Sequence, residues 1–125
     1  MKIKTIGNQA CKLHVLENLK KQNFSISRIF FLDSNKKCVR GNHAHKKCTQ
    51  IFLSLSGNID ITIENKKGIK EIKLEKFKSH LKVLPLNWVK IKMKKNQLLM
   101  VICNKNFSEK DYIRNYPVFL KQLKK

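Results

Sequence analysis

Arg40-Gly41-Asn42-His43-Ala44-His45, followed by Gln50, gathers two imidazoles, a guanidinium and an amide into one short stretch. His43 and His45 are two residues apart, so on a strand both side chains leave the same face. Imidazole alone titrates unperturbed near neutral pH, and such a pair can take up a proton and return it. Arg40 adds a permanent cation suited to an anionic substrate, and Gly41 suits a tight backbone turn beside it. The competing reading is a solvated strand carrying two incidental histidines. Two of the chain's four histidines fall here, which favours chemistry.

The elements that must position these groups read as strands. Phe24 to Leu32 is rich in β-branched and aromatic residues, and Gln50 to Leu55 is a second apolar run closed by Ser56-Gly57-Asn58. Ile59, Ile61 and Ile63 alternate with Asp60, Thr62 and Glu64, the pattern of a half-buried strand. Asn65-Lys66-Lys67-Gly68 predicts a hairpin loop, with the return strand carrying Ile69, Ile72 and Leu74. Leu81 to Leu84, Val89 to Met93 and Leu98 to Cys103 supply three more. Many short strands at even spacing predict an all-β sandwich or barrel. Only the tail has a helical pattern, where Phe119, Leu120 and Leu123 follow Pro117.

Composition bounds the rest. The 125 residues suit one domain, spanning 1–125, and 42% hydrophobic residues exclude a disordered chain. No apolar run approaches the roughly 18 residues of a membrane span, and no signal-type segment follows the Lys-rich start, so no membrane insertion is expected. Cys11, Cys38, Cys48 and Cys103 form no CxxC pair and read as reduced thiols in the cytoplasm. The net charge of +20 draws anions. Only Arg28, Arg40 and Arg114 among the 28 basic residues are arginines, the type that reads base edges. The lysines lie at alternate strand positions, where solvent faces fall. Nucleic acid is therefore not the expected partner, although a phosphate-bearing small molecule would be drawn in.

Gly41-x-His43-x-His45-x4-Gln50-x6-Gly57 resembles the first motif of the cupins, small β-barrels or jelly rolls. In metal-binding cupins that motif and a later Pro-x-x-x-x-His element supply three histidines and a glutamate. Here Gln50 holds the glutamate slot, and Pro85-Leu86-Asn87-Trp88-Val89-Lys90 puts Lys90 in the third histidine slot. An ammonium and a neutral amide compensate a divalent ion poorly, so no metal is expected.

A narrower resemblance spans nearly the whole chain. Arg40-Gly41-x-His43-Ala44-His45-Lys46-Lys47-x-x-Gln50, Pro85-x-x-Trp88 and Asp111-Tyr112-Ile113-Arg114-x-Tyr116-x-x-Phe119 together resemble the dTDP-4-oxo-6-deoxyglucose 3,4-ketoisomerases. Lys12-Leu13-x-x-Leu16-Glu17 is similar to their N-terminal segment. Phe30 and Phe31 stand where these enzymes commonly carry tyrosine. The resemblance implies a cupin-type barrel with a short C-terminal helical segment, and an isomerase that moves a sugar ketone from C4 to C3 through an enediol. It implies a dTDP-linked 4-oxo-6-deoxy sugar as partner, no cofactor, a homodimer, and a place in making dTDP-3-amino-3,6-dideoxy sugars for surface polysaccharide. His43 would be the base at C3, with His45 polarising the oxygens or relaying the second proton; the residues alone permit the reverse order. Arg40 would meet the diphosphate or sugar oxygens, unless it is a surface arginine beside a turn. Gln50 either contacts substrate, orients His45, or is a satisfied interior amide. Trp88 is either pocket wall or core. Arg114 and Tyr116 are expected to tie the tail to the barrel, and His14 and His80 to take no part. The alternatives are a 3,5-epimerase of the same nucleotide sugar and a nucleotide-sugar-binding cupin without turnover.

Overall fold

Alternating apolar residues build two facing antiparallel sheets. The computed structural model describes residues 1–125, the side chain of Gln22 excepted. The strands are β1 (Lys2–Gly7), β2 (Lys12–Glu17), β3 (Arg28–Asp33), β4 (Cys38–His45), β5 (Gln50–Ser54) and β6 (Ile59–Asn65). They continue as β7 (Gly68–Leu74), β8 (His80–Val83), β9 (Trp88–Met93), β10 (Leu98–Cys103) and β11 (Tyr112–Ile113), and helix α1 (Tyr116–Leu123) ends the chain. One sheet runs β3-β10-β5-β8 and the other β11-β4-β9-β6-β7. The two do not close on one another, so the expected cupin-type roll is present in open form.

Between the sheets lies the main core. Ile59, Ile61 and Ile63 of β6 meet Val89, Ile91 and Met93 of β9, and Phe52, Leu99 and Val101 close from the other sheet. Burying each such side chain stabilises by about 1.5–3 kcal/mol. Lys90 and Lys92 alternate with the buried residues of β9 and are exposed, as strand periodicity requires. Much of the charge is thus a solvated face.

Two elements escape a period-2 reading. The hairpin of β1 and β2 covers the outer side of β5 and β10, where Met1, Phe24, Ile51 and Ile102 pack with Ile3 and Leu16. That cover explains why all five residues of β5 are buried instead of alternating. At the other end, α1 starts at its N-cap Asn115, whose side chain accepts from the Val118 N–H at 3.1 Å, with Pro117 in the first turn. Its Phe119 is fully buried against Ala44, Trp88 and Ile113. The Tyr116 hydroxyl donates to Glu64 at 2.7 Å, tying the tail to β6.

Candidate active site

Arg40 and His43 differ by an odd number of positions, so on a regular strand they would face opposite ways. The chain solves this with a β-bulge. Along β9, Arg40 is opposite Ile91, Gly41 opposite Lys90, and His43 opposite Val89, with a register shift between Gly41 and His43. Gly41 at φ 91° and Asn42 at φ 55° carry the extra residue. Ile91 and Val89 both point into the core, so Arg40, His43 and His45 all face the space between the sheets. Ala44 turns to the opposite side and packs under α1.

His43 is half-buried on the wall of a cavity of about 380 Å³. Its Nδ1 lies 3.1 Å from the Gly41 carbonyl oxygen. A carbonyl only accepts, so Nδ1 carries the proton and Nε2 keeps its lone pair. Burial, then the neighbouring His45 and the cations Arg114 and Arg40, push its pKa down to about 4 against the pull of the Gly41 carbonyl. The ring is therefore neutral at pH 7.

His45 sits deeper, 4% exposed, with its ring 5.2 Å from that of His43. Its Nδ1 is 2.9 Å from Asp111 Oδ2. Burial lowers its pKa, and Asp111 opposes that shift. Burial alone would raise the Asp111 carboxyl, but hydrogen bonds from His45 and from the Lys47 and Cys48 N–H groups outweigh it and hold the pKa down. His45 Nε2 is buried with no hydrogen-bond partner. The orienting partner of His45 is thus Asp111 and not Gln50.

Arg40 and Gln50 join His43 on the cavity wall, together with Phe30, Phe107, Tyr112 and Arg114. Gln50 is 2% exposed and donates from Nε2 to Cys103 Sγ at 3.4 Å, so it is at once wall and interior amide. Of the phenylalanine pair only Phe30 faces inward, while Phe31 is half exposed on the outer side. Tyr112 lies edge-on to His43 with ring centroids 4.9 Å apart, and the Arg114 guanidinium sits 4.1 Å above the Tyr112 ring. Arg114, expected to tie down the tail, also pairs with Glu109 and faces the cavity.

Trp88 is not brought to this cavity. It turns to the far side of β9 and packs against Phe119 and Tyr116 with ring centroids 5.3 Å away in both cases. Its sequence signal, a tryptophan after a proline turn, does not distinguish wall from core; the strand parity of Val89 and Ile91 does. Asp111, Tyr112 and Phe107 were missed as site residues. Asp111 had a usable signal, being one of only eight acidic residues in a strongly basic chain.

The site does not fit the divalent ion of metal-binding cupins. Lys90, in the third histidine slot, is exposed on the outer face of β9. His45, Cys48 and Asp111 do bring one ligand atom each within 4.8 Å of one another. Asp111 already spends both oxygens on N–H donors, and the hydrogen bond between the Cys48 and Cys103 thiols, then burial, pushes the Cys48 thiol up and keeps it protonated. A protonated thiol and a committed carboxylate make a hydrogen-bond cluster, not a ligand set.

An open two-sheet roll with a histidine pair between its sheets is shared in fold with the solved structures this chain is similar to, which are cupin-like sugar isomerases. Within that class the chain belongs to the FdtA family (WxcM-like, C-terminal), whose model matches residues 1–124. It is 32% identical over 124 residues to the TDP-4-oxo-6-deoxy-alpha-D-glucose-3,4-oxoisomerase of Aneurinibacillus thermoaerophilus, covering 98% of this chain and 89% of that protein. The sugar 3,4-ketoisomerase QdtA from Thermoanaerobacterium thermosaccharolyticum, solved in complex with TDP, superposes with a TM-score of 0.89 at 29% identity, over 98% of this chain and 91% of that one. A histidine-to-asparagine variant of QdtA, solved in complex with TDP-4-keto-6-deoxyglucose, matches with the same TM-score of 0.89 at 28% identity and the same coverage, 98% and 91%.

Proposed function

We propose that this protein isomerises a TDP-linked 4-oxo-6-deoxy hexose to its 3-oxo isomer. The observation that carries the reading is His43, a neutral imidazole on the cavity wall with its Nε2 lone pair free, in a chain whose similar proteins are 3,4-ketoisomerases. The proton at C3 is acidic because it lies next to the C4 ketone. His43 Nε2 takes it, the electron pair runs toward O4, and O4 gains a proton to give the enediol. O3 then loses its proton as the C3 ketone forms, and C4 takes one up, with His45 returning it through the cavity groups. Substrate and product are isomers, so no oxidant or reductant enters. Arg40 and Arg114 line the same cavity, which supports a role for their positive charge toward the diphosphate and enediolate oxygens. The product suits a following amination at C3, as in the making of 3-amino-3,6-dideoxy sugars for surface polysaccharide. Four free cysteines fit a reducing compartment such as the cytoplasm.

Proton NMR of TDP-4-oxo-6-deoxyglucose with the protein in deuterated water and a metal chelator tests this reading. The expected product is a 3-oxo sugar carrying deuterium at C4, formed at an undiminished rate with the chelator present. Exchange at C3 and C5 without ketone movement would mean epimerisation and overturn it; loss of turnover restored by a divalent ion would overturn the metal-free site.

The functional unit is proposed to be a homodimer. The edge strand β3 presents Ile29 and Phe31 outward at 48% and 54% exposure, with Ile26 beside them. An unpaired edge with an apolar face favours association with a second copy. Sedimentation velocity at micromolar protein should show the dimer, and a monomer alone would contradict it.

A further inference from the structure

We propose that Asp111 is a positioning residue for proton transfer: its carboxylate locks His45 in the tautomer that leaves Nε2 unprotonated, with its lone pair free. This rests on the ketoisomerase reading for its consequence, although the lock itself is a matter of geometry. Three N–H groups converge on the carboxylate. Lys47 N lies 2.7 Å from Oδ1, while His45 Nδ1 and Cys48 N lie 2.9 and 3.3 Å from Oδ2. The Asp111 carbonyl oxygen accepts from Lys46 N at 2.8 Å as well, so the loop after β4 is clamped to the residue on both sides. A deprotonated carboxylate only accepts, and so Nδ1 of His45 must hold the ring's proton. The remaining nitrogen, Nε2, is buried without a partner. A buried acceptor left free in this way is costly in a merely structural histidine. It is what a proton carrier needs.

The surroundings would otherwise weaken His45 as a carrier. Arg28 and Arg114 both disfavour its charged form, as burial does, and His43 stands 5.2 Å away. Among the described residues, Asp111 is the facing group that favours the imidazolium, which must exist briefly if His45 is to pass a proton on. Tyr112, next in the chain, lies 4.4 Å from the His45 ring and also lines the cavity, so the same short segment that holds His45 connects it to the substrate space.

Asp111→Asn separates this role from a structural one. Asparagine has a single acceptor oxygen; with that oxygen kept on Lys47 N, its amide N–H faces His45 Nδ1 and donates to it. The tautomer then inverts, leaving the proton on Nε2. Nitrogen-15 NMR of histidine-labelled protein should show Nδ1 protonated and Nε2 unprotonated at His45 in the wild type, exchanged in the variant. Turnover should fall about 10- to 100-fold, the usual cost of losing the outer partner of a functional histidine, with KM and the affinity for TDP unchanged. A wild type with the proton on Nε2 would refute the proposal even if the variant failed to fold. A folded variant with wild-type tautomer and turnover would refute it equally. The expected tautomer in a wild type that shows no ketoisomerase turnover would sustain the Asp111–His45 lock and sink the proposed function instead.

Discussion

His43→Asn should reduce turnover by about 10² to 10⁴-fold while TDP still binds with nearly wild-type affinity. Asparagine keeps a polar side chain of similar reach but takes up no proton at neutral pH, so the change removes the proposed general base. Arg40 and Arg114 line the same cavity and are the groups proposed to hold the nucleotide end, so replacing Arg40 should instead weaken affinity. Calorimetry with TDP and product formation by NMR read the two effects separately. Wild-type turnover in the variant would remove His43 from the mechanism. If turnover also survived loss of His45, the proton-transfer group would have to lie elsewhere on the cavity wall, whereas a wild type that binds TDP without turnover would make the non-catalytic nucleotide-sugar-binding cupin the better account.

With His43 as the base, the same residue should set the acid limit. A base must be unprotonated to act, and with its pKa lowered to about 4 His43 stays neutral well below the usual histidine range. Turnover attributable to it should therefore persist as pH falls through 6.5 and fade only near 4. Stability follows the other side of the same shift. The unfolded chain takes the proton near 6.5 and the folded one near 4, so folding loses stability as pH falls between those values. His43→Asn should flatten that part of the stability profile.

What the sequence revealed and what it hid differ by kind of interaction. Strands with strict alternation, such as Ile59-Ile61-Ile63, were legible because one face meets the core and the other meets water. The β1–β2 hairpin was not, since its residues mostly stay exposed and only Ile3, Leu16 and the chain start make a buried contact. The histidine pair was legible from its spacing. Its partner Asp111 lies 66 residues away from His45, and no local pattern announces a hydrogen bond between two loop ends. Trp88 shows the limit of residue type as a guide: an aromatic fits a pocket and a core alike, and only the orientation of β9 decides between them. The place of Arg114 in the tail suggests a structural role, yet the short β11, paired to β4 through Tyr112 opposite His45, carries it to the cavity.

Gly41→Val should be the most damaging change outside the histidines, because one glycine supports both the fold and the base. At φ 91° a β-branched residue is strained, and an added Cβ would lie 2.7 Å from the Val89 carbonyl oxygen, which is backbone and cannot swing aside. Strain of this kind costs on the order of 1–3 kcal/mol before the overlap is relieved. Relief requires β4 to move away from β9 at the bulge, which resets the phase that puts Arg40 and His43 on one face. The Gly41 carbonyl would move as well, and with it the acceptor that keeps the His43 proton on Nδ1. A reacting group displaced by about 1 Å can lose about 10²-fold in rate. The variant is therefore expected to melt several degrees lower and, at temperatures where it remains folded, to turn over about 10²-fold more slowly with a smaller loss of TDP affinity. A variant with wild-type melting temperature and rate would show that the bulge does not need glycine. Lower stability with unchanged turnover would leave the bulge as scaffold and detach the Gly41 carbonyl from the orientation of His43.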